Sequence, residues 1–142
     1  MDRLKDKVVF LTGGGGVLGR ASAMLFAQEG ARIAVVDMAQ DKADETAQRI
    51  NASGGEAIAL NVDITDETAV REAVETTVKH WGHLDTLFNN AGIMPHEDIS
   101  VVELDVELWS RIYATNVLGT ALCCKYAIPY ICLLYTSPSP RD

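Results

Sequence analysis

Cysteine and long apolar runs are scarce in this sequence of 142 residues. Its three cysteines include an adjacent pair, Cys123 and Cys124, which is not the pattern of a disulfide framework and is consistent with a reducing compartment. No stretch approaches the roughly 20 apolar residues that a transmembrane helix needs. The apolar run from Val8 to Leu11 is too short for the core of a signal peptide. These absences predict a cytoplasmic protein with no membrane partner.

Positive charge is also scarce. Twelve basic residues stand against 20 acidic ones, for a formal net charge of -8. Nucleic acids and anionic membranes both favour a basic surface, so neither is an expected partner. No group of residues has the spacing of metal ligands, and we predict no metal site. With 48% hydrophobic residues, the chain has enough apolar material for one domain with a core, which argues against disorder.

The most informative stretch runs from Val8 to Gly19. A β-branched and aromatic run breaks into four consecutive glycines and continues with apolar residues at helical spacing. Glycine has no Cβ, so such a turn can be tight and its backbone can approach a ligand closely. The following helix directs its unpaired N–H groups and its positive dipole end at the same place, which suits a pyrophosphate. The spacing Gly14-x-Gly16-x-x-Gly19 matches the dinucleotide-binding fingerprint.

Asp37 follows the second apolar strand, Arg32 to Val36, and lies eighteen positions after Gly19. A carboxylate at about this spacing accepts hydrogen bonds from the adenosine ribose hydroxyls. The alternative is an aspartate that caps a turn or a helix, which is common after strands. A carboxylate would also repel the 2′-phosphate of NADP, and Met38 follows it where an arginine could have offset the charge. The sequence therefore favours NAD.

Strands and helices alternate with short connections along the chain. We predict strands over residues 8–11, 32–36, 57–62 and 84–88, helices from about 17, over 41–50 and from about 65 to 81, and a long helix over 105–127. This alternation is typical of a doubly wound, Rossmann-like α/β fold with a parallel sheet, here in the order three-two-one-four and incomplete at its C-terminal side. Polar or glycine residues end all four strands, at the edge where such sheets bind ligands.

A family resemblance follows from these motifs. Thr12-Gly13 with Gly19, Asp37, Asp63, Asn89-Asn90-Ala91-Gly92 and Asn116-Val117-Leu118-Gly119 resemble, in order and spacing, the short-chain dehydrogenase/reductase family. The resemblance covers Lys7 to about Ile131. One position departs from it, because the family's middle glycine is replaced by Val17, with Gly16 one residue earlier.

The resemblance implies a role for each matching position. Glycines and a leucine of the turn would line the pyrophosphate, and these are Gly13, Gly16, Leu18 and Gly19. Asp37 and Met38 would border the adenosine ribose, and Asp63 and Ile64 the adenine. Asn90, Ala91 and Gly92 would lie along the ribose next to the nicotinamide. For the asparagines a simpler interpretation is a polar turn whose side chains bond to nearby backbone.

Asn116 lies within the long predicted helix. Trp109, Ile112, Asn116, Gly119 and Cys123 share one stripe at helical spacing, so we expect Asn116 to point inward and to need hydrogen-bond partners. It could simply tie neighbouring backbones together. The resemblance makes it the family's active-site asparagine, which orders a proton-relay water and positions the catalytic lysine; both roles can hold together.

The last eleven residues fit this pattern poorly. The family's catalytic Tyr-x-x-x-Lys is not found, since no tyrosine of the chain has a lysine four positions later. Residues 132–142 can be back-translated into a transposase adapter used in DNA library preparation. We therefore interpret 1–131 as a partial dinucleotide-binding domain and 132–142 as a non-native tail, the alternative being a natural proline-rich tail.

The resemblance thus implies an NAD-dependent oxidoreductase that moves a hydride between nicotinamide and an alcohol or ketone. We expect the whole protein to be a homo-oligomer and the chain as written to be inactive. Two alternatives remain: a dinucleotide-binding regulatory module without chemistry, and a different Rossmann enzyme such as a sugar-nucleotide epimerase. The motif Asn89-Asn90-Ala91-Gly92 and the short connections argue against the epimerase.

Overall fold

A computed structural model describes residues 2–95 and 100–133, with side chains to residue 131. The strands are β1 (Val8–Thr12), β2 (Arg32–Asp37), β3 (Glu56–Asn61) and β4 (Thr86–Phe88). The α-helices are α1 (Val17–Gln28), α2 (Gln40–Ala52), α3 (Glu67–Trp81), α4 (Val106–Tyr113) and α5 (Thr120–Leu133). A 3₁₀ turn, Val101–Glu103, precedes α4, and a π-helical segment, Ala114–Gly119, separates α4 from α5. None of the helices in these described ranges is long and apolar enough to cross a membrane.

The four strands form one parallel sheet in the order β3-β2-β1-β4. In the register of the sheet, Phe10 of the central strand β1 lies beside Ala34 of β2 and Leu87 of β4. This is the strand order that the sequence predicts. All four strands are parallel, so their carboxyl ends meet at one edge of the sheet, with the glycine turn in the middle.

Each face of the sheet carries its own core. Along β1, Val8 and Phe10 pack with α3 and α5 on one face, and Val9 and Leu11 pack with α1 and α2 on the other. All four side chains are at most 1% exposed. A central strand buried on both faces reads as a continuous apolar run rather than an alternating one. The doubly wound, Rossmann-like architecture is therefore confirmed.

Local signals set the ends of α3 as expected. The side chain of Asp66 accepts a hydrogen bond from the Ala69 N–H at 3.0 Å and caps the first turn. At the other end Gly82 adopts a left-handed conformation with φ +86°, in which glycine is favoured. The helix therefore ends where the sequence predicts.

The long helix predicted over 105–127 is wrong in one respect, because a π-helical segment interrupts it. Each π turn holds more residues than an α turn, so the stripe expected from constant helical spacing does not stay on one face. Gly119 and Cys123 are buried as expected, but Trp109 is 50% exposed. The first part of this element therefore presents an apolar surface to solvent.

Candidate functional site

A cavity of about 350 Å³ lies at the carboxyl ends of β1, β2 and β4. Small-molecule sites are typically clefts of roughly 300–1,000 Å³ at this edge of an open parallel sheet. The structure brings most of the predicted binding residues together around it: Gly13, Gly16, Leu18, Gly19, Asp37, Met38, Ile64, Asn90, Ala91 and Gly92. Of the predicted set, Asp63 and Asn116 do not line it.

The glycine turn is packed too closely for side chains at two positions. Gly13 has φ +67°, and a Cβ there would lie 2.9 Å from the Cα of Ala91. A Cβ on Gly19 would collide with the carbonyl oxygen of Gly13. Helix α1 can therefore approach the turn only because both positions are glycine, which holds the start of the helix against the cavity.

Val17, where the sequence departs from the family pattern, does not disrupt this turn. Gly16 is the N-cap of α1 with φ −73° and ψ 169°, a conformation that other residues also adopt. Val17 begins the helix, and its side chain is 88% exposed on the cavity rim. Gly16 has no side chain with which to cap α1, and within the described residues the first turn of the helix carries no acidic side chain. The N–H groups of that turn are thus available for an anionic group of a ligand.

Asp37 ends β2 and lines the cavity. Its Oδ2 accepts a hydrogen bond from the Gly15 N–H at 2.9 Å, and its Oδ1 accepts one from the Ala39 N–H at 3.0 Å. The carboxylate therefore takes the turn role that was one of the two interpretations. Each oxygen still has acceptor capacity, since a carboxylate offers about four lone-pair sites. The turn role thus leaves room for bonds to ligand hydroxyls.

Asn90 joins β1 to the segment after β4. Its side-chain amide donates to the carbonyl oxygens of Thr12 at 3.1 Å and Gly13 at 3.2 Å. The buried hydroxyl oxygen of Thr12 in turn accepts from the backbone N–H groups of Asn90 and Ala91, both at 3.1 Å. These bonds fix the carboxyl ends of two neighbouring strands relative to each other, which is the backbone-bonding role considered for the asparagines.

Of the two residues predicted to border the adenine, Ile64 lines the cavity and Asp63 does not. The Oδ1 atom of Asp63 accepts from the N–H of Thr65 at 2.9 Å and from its hydroxyl at 2.8 Å, and the residue is exposed outside the cavity lining. Ile64 lines the cavity and is only 7% exposed. Its side chain lies against Gly119, where a Cβ would be 2.7 Å from it. The π-helical segment, through Gly119, therefore packs against Ile64 in the cavity wall.

Asn116 does not point inward as expected: it is exposed, within the π-helical segment. Its side chain nevertheless has two partners. Its Oδ1 accepts from the Ile93 N–H at 2.8 Å, and its Nδ2 donates to the Ile93 carbonyl oxygen at 2.9 Å. Ile93 and Thr115 line the cavity. Asn116 thus fixes the backbone of the cavity wall from outside the lining.

Five residues that line the cavity are not predicted from the sequence: Val17, Val36, Val62, Ile93 and Thr115. Val36 and Val62 each precede a predicted aspartate, so their position at a strand end is a signal that could have identified them. Ile93 directly follows the Asn-Asn-Ala-Gly motif. Thr115 carries no comparable signal, because its place depends on the π-helical segment.

Comparisons with known proteins give a consistent result. A model of the short chain dehydrogenase family matches residues 7–136. The chain is 40% identical over 129 residues to an uncharacterized oxidoreductase of Bacillus subtilis, covering 91% of this chain and 47% of that protein. It is 34% identical over 129 residues to meso-2,3-butanediol dehydrogenase of Serratia marcescens, covering 91% and 50%. A crystal structure of hydroxysteroid dehydrogenase from Escherichia coli superposes with a TM-score of 0.83 at 29% identity, covering 90% of this chain and 53% of that one. The chain spans about half the length of the curated relatives it matches.

Proposed function

Because this chain belongs to the short-chain dehydrogenase family, we propose that it is the dinucleotide-binding part of an NAD-dependent oxidoreductase. The reaction would transfer a hydride between nicotinamide and an alcohol or ketone carbon of a small molecule. One observation carries the proposal: the glycine turn, Asp37 and the segment Asn90 to Gly92 meet at one cavity. Nicotinamide supplies the hydride chemistry when bound, and the protein supplies binding and orientation.

The residues present fit such a cofactor. The uncapped first turn of α1, which begins at Val17, and the close packing of Gly13 and Gly19 suit a pyrophosphate, together with Gly16 and Leu18. Asp37 and Met38 would hold the adenosine ribose, and Ile64 would form the adenine wall. The Oδ1 atom of Asp63 accepts a hydrogen bond from Thr65. An adenine contact by Asp63 would therefore use the remaining acceptor sites of its carboxylate.

The choice of NAD over NADP rests on Asp37. Its carboxylate lies at the strand end where a 2′-phosphate would have to fit, and a second negative charge there would be repelled. The segment Asn90, Ala91 and Gly92 would then run along the ribose next to the nicotinamide.

Asn116 is the residue of the family's catalytic set that we assign to this chain. Through Ile93 it would fix the wall beside the reacting end of the cavity and, as the resemblance implies, order a proton-relay water. The family's tyrosine base and its lysine have no counterpart among residues 1–142, since no tyrosine has a lysine four positions later. We therefore propose that the 142-residue chain binds a dinucleotide without turning over substrate. The interpretation of 132–142 as a non-native tail stays a proposal, and 134–142 lie outside the described residues.

The whole protein would be a homo-oligomer in this proposal. Exposed apolar side chains on and beside α4 support it: Val106 is 70% exposed, Trp109 50% and Tyr113 54%. A surface of this kind favours contact with another protein surface over water.

The test is a titration of the chain with NADH, followed by fluorescence and by calorimetry, with NADPH and ATP as comparison ligands. We expect saturable binding of NADH that is tighter than binding of either comparison ligand. Equal weak responses to all three ligands would contradict the proposed site. Binding of NADH without turnover in the whole protein, across a panel of alcohols and ketones, would instead favour the non-catalytic regulatory module.

A further inference from the structure

Thr46 of α2 is a fully buried polar residue beneath the glycine turn. Its hydroxyl oxygen lies 3.0 Å from the carbonyl oxygen of Gly14 and 3.0 Å from that of Lys42, four residues earlier in the helix. The Nε of Arg20, from α1, donates to the same hydroxyl oxygen at 3.2 Å. Thr46 thus connects the turn, α1 and α2 through one atom.

The hydroxyl has a single proton to donate. The carbonyl of Lys42 is inside a helix, where a backbone N–H normally serves it. The carbonyl of Gly14 is in the turn, and the hydroxyl of Thr46 is the partner that the described part of the chain gives it. A buried carbonyl without a partner is costly, so donation to Gly14 is the favoured state.

Arg20 contacts the carbonyl of the next residue in the turn, Gly15. Its Nη2 lies 3.4 Å from the carbonyl oxygen of Gly15 and 2.8 Å from the Oε2 of Glu45. On the opposite side of the turn, the N–H of Gly14 donates to the Val36 carbonyl at 3.0 Å. The N–H of Gly15 donates to Asp37. Both the N–H and the carbonyl group of Gly14 and of Gly15 therefore have a hydrogen-bond partner.

We propose that Thr46 is a positioning residue for the pyrophosphate turn: with Arg20 it fixes the peptide groups of Gly14 and Gly15 and so sets the affinity for the pyrophosphate part of the dinucleotide. Thr46 does not line the cavity and would not touch the ligand. The inference rests on the proposed dinucleotide site.

The test compares Thr46→Val with Thr46→Ser. Valine keeps the shape of threonine and removes the hydroxyl, whereas serine keeps the hydroxyl. We expect Thr46→Val to weaken NADH binding about tenfold, the loss that one unmade buried hydrogen bond brings. Thr46→Ser should restore most of it. Adenosine has no pyrophosphate, and Asp37 keeps its bond from Ala39, so adenosine binding, followed by ligand-detected NMR, should weaken less than NADH binding in Thr46→Val.

The matched control is Thr77→Val. Thr77 is also fully buried, and its hydroxyl donates to the Ala73 carbonyl at 2.9 Å within α3, on the other face of the sheet. This variant loses a hydroxyl of the same kind without involving the turn. We expect it to leave NADH affinity unchanged.

Hydrogen exchange provides a second measurement that needs no ligand. Amides of residues 13–19, the glycine turn and the first residues of α1, should exchange faster in Thr46→Val than in the wild type or in Thr77→Val. If Thr46→Val does not fold, Arg20→Met keeps the aliphatic stem, removes the donors and should show the same pattern.

The outcomes distinguish a failure of the role of Thr46 from a failure of the proposed dinucleotide site. Unchanged NADH affinity and unchanged exchange in folded Thr46→Val would overturn the inference, and so would an equal loss of adenosine and NADH binding. If the wild type does not bind NADH, the proposed function fails. In that case the exchange measurement still decides whether Thr46 holds the turn.

Discussion

Replacing Asp37 by asparagine tests the assignment of NAD most directly. The substitution keeps the size of the side chain and removes its charge. In the wild type the two carboxylate oxygens accept from the backbone N–H groups of Gly15 and Ala39. Asparagine has one acceptor oxygen, so it can serve only one of these donors and turns its own NH₂ toward the other.

The expected change in cofactor preference follows from the charge. Two unit charges about 4 Å apart at an effective dielectric constant near 20 repel each other by about 4 kcal/mol, which is roughly a thousandfold in affinity. Asp37 is half-buried, so solvent screening makes this an upper bound. Asp37→Asn should also weaken NADH binding by a factor of roughly 10 to 100, because a hydrogen bond to a charged acceptor contributes about 1.5–3 kcal/mol. We therefore expect the wild type to bind NADH much more tightly than NADPH. In Asp37→Asn the two affinities should lie within about tenfold of each other.

The assay is calorimetric titration of both proteins with NADH and NADPH at one low ionic strength. Asp41→Asn is the matched control, since Asp41 is an exposed carboxylate in the first turn of α2 and does not line the cavity. Asp41→Asn changes the net charge by the same amount as Asp37→Asn, and it should leave the ratio of the NADH and NADPH affinities unchanged. Thermal unfolding of each variant checks that the fold is retained.

Two results would contradict the role of the Asp37 charge in cofactor preference. The first is a wild type that binds NADPH as tightly as NADH, because the carboxylate would then not face the 2′ position. The second is a folded Asp37→Asn protein with the wild-type ratio of affinities, since charge could not then be the source of the preference.

Two further predictions concern the contacts that Ile64, before α3, and Glu67, at the start of α3, make with the helical region after β4. Gly119→Ala should lower the free energy of unfolding in urea by about 1–3 kcal/mol, because its Cβ would lie 2.7 Å from Ile64, which outweighs the better helix propensity of alanine. Adding Ile64→Val to this variant should recover part of the loss. A Gly119→Ala protein more stable than the wild type would contradict the close packing of these two residues. Hydrogen bonds from Lys125 and Tyr126 lower the pKa of Glu67 in the folded state. This contribution to stability is present above the ordinary pKa of glutamate, about 4.3, and is lost as pH falls through the lowered folded value. Wild type should therefore exceed Glu67→Gln in urea midpoint at pH 7 and the difference should shrink on acidification, whereas a difference independent of pH would exclude the charge as its source.

Much of the fold could be predicted because its signals are local. The β-branched runs, the glycine turn and the stop at Gly82 each act over a few residues, and the structure has the corresponding elements within about two residues at most ends. The strand order was also predicted. The helix after residue 105 shows where this reasoning fails, because one constant spacing cannot anticipate a π-helical segment, and Trp109 is exposed as a result.

In the candidate site, too, the positions of residues could be predicted from the sequence, whereas their side-chain contacts could not. Position at a strand end identified Asp37 and the segment Asn90 to Gly92, since parallel strands bring their carboxyl ends together whatever the details of packing. Which atom each side chain contacts was not accessible from spacing. Asp63 bonds to Thr65 outside the cavity lining, and Asn116 is exposed and bonded to Ile93.

The alternation of strands and helices, the glycine turn and the edge at which a ligand would bind follow from the order of the amino acids, because propensity, periodicity and chain geometry act locally. The position of Thr46 under the turn, 32 residues from Gly14, and the packing of Ile64 against Gly119 follow only from the folded arrangement. A threonine in an amphipathic helix carries no sign of its partner. The physical reason is that such contacts depend on the relative placement of whole elements, which packing on the two faces of the sheet sets.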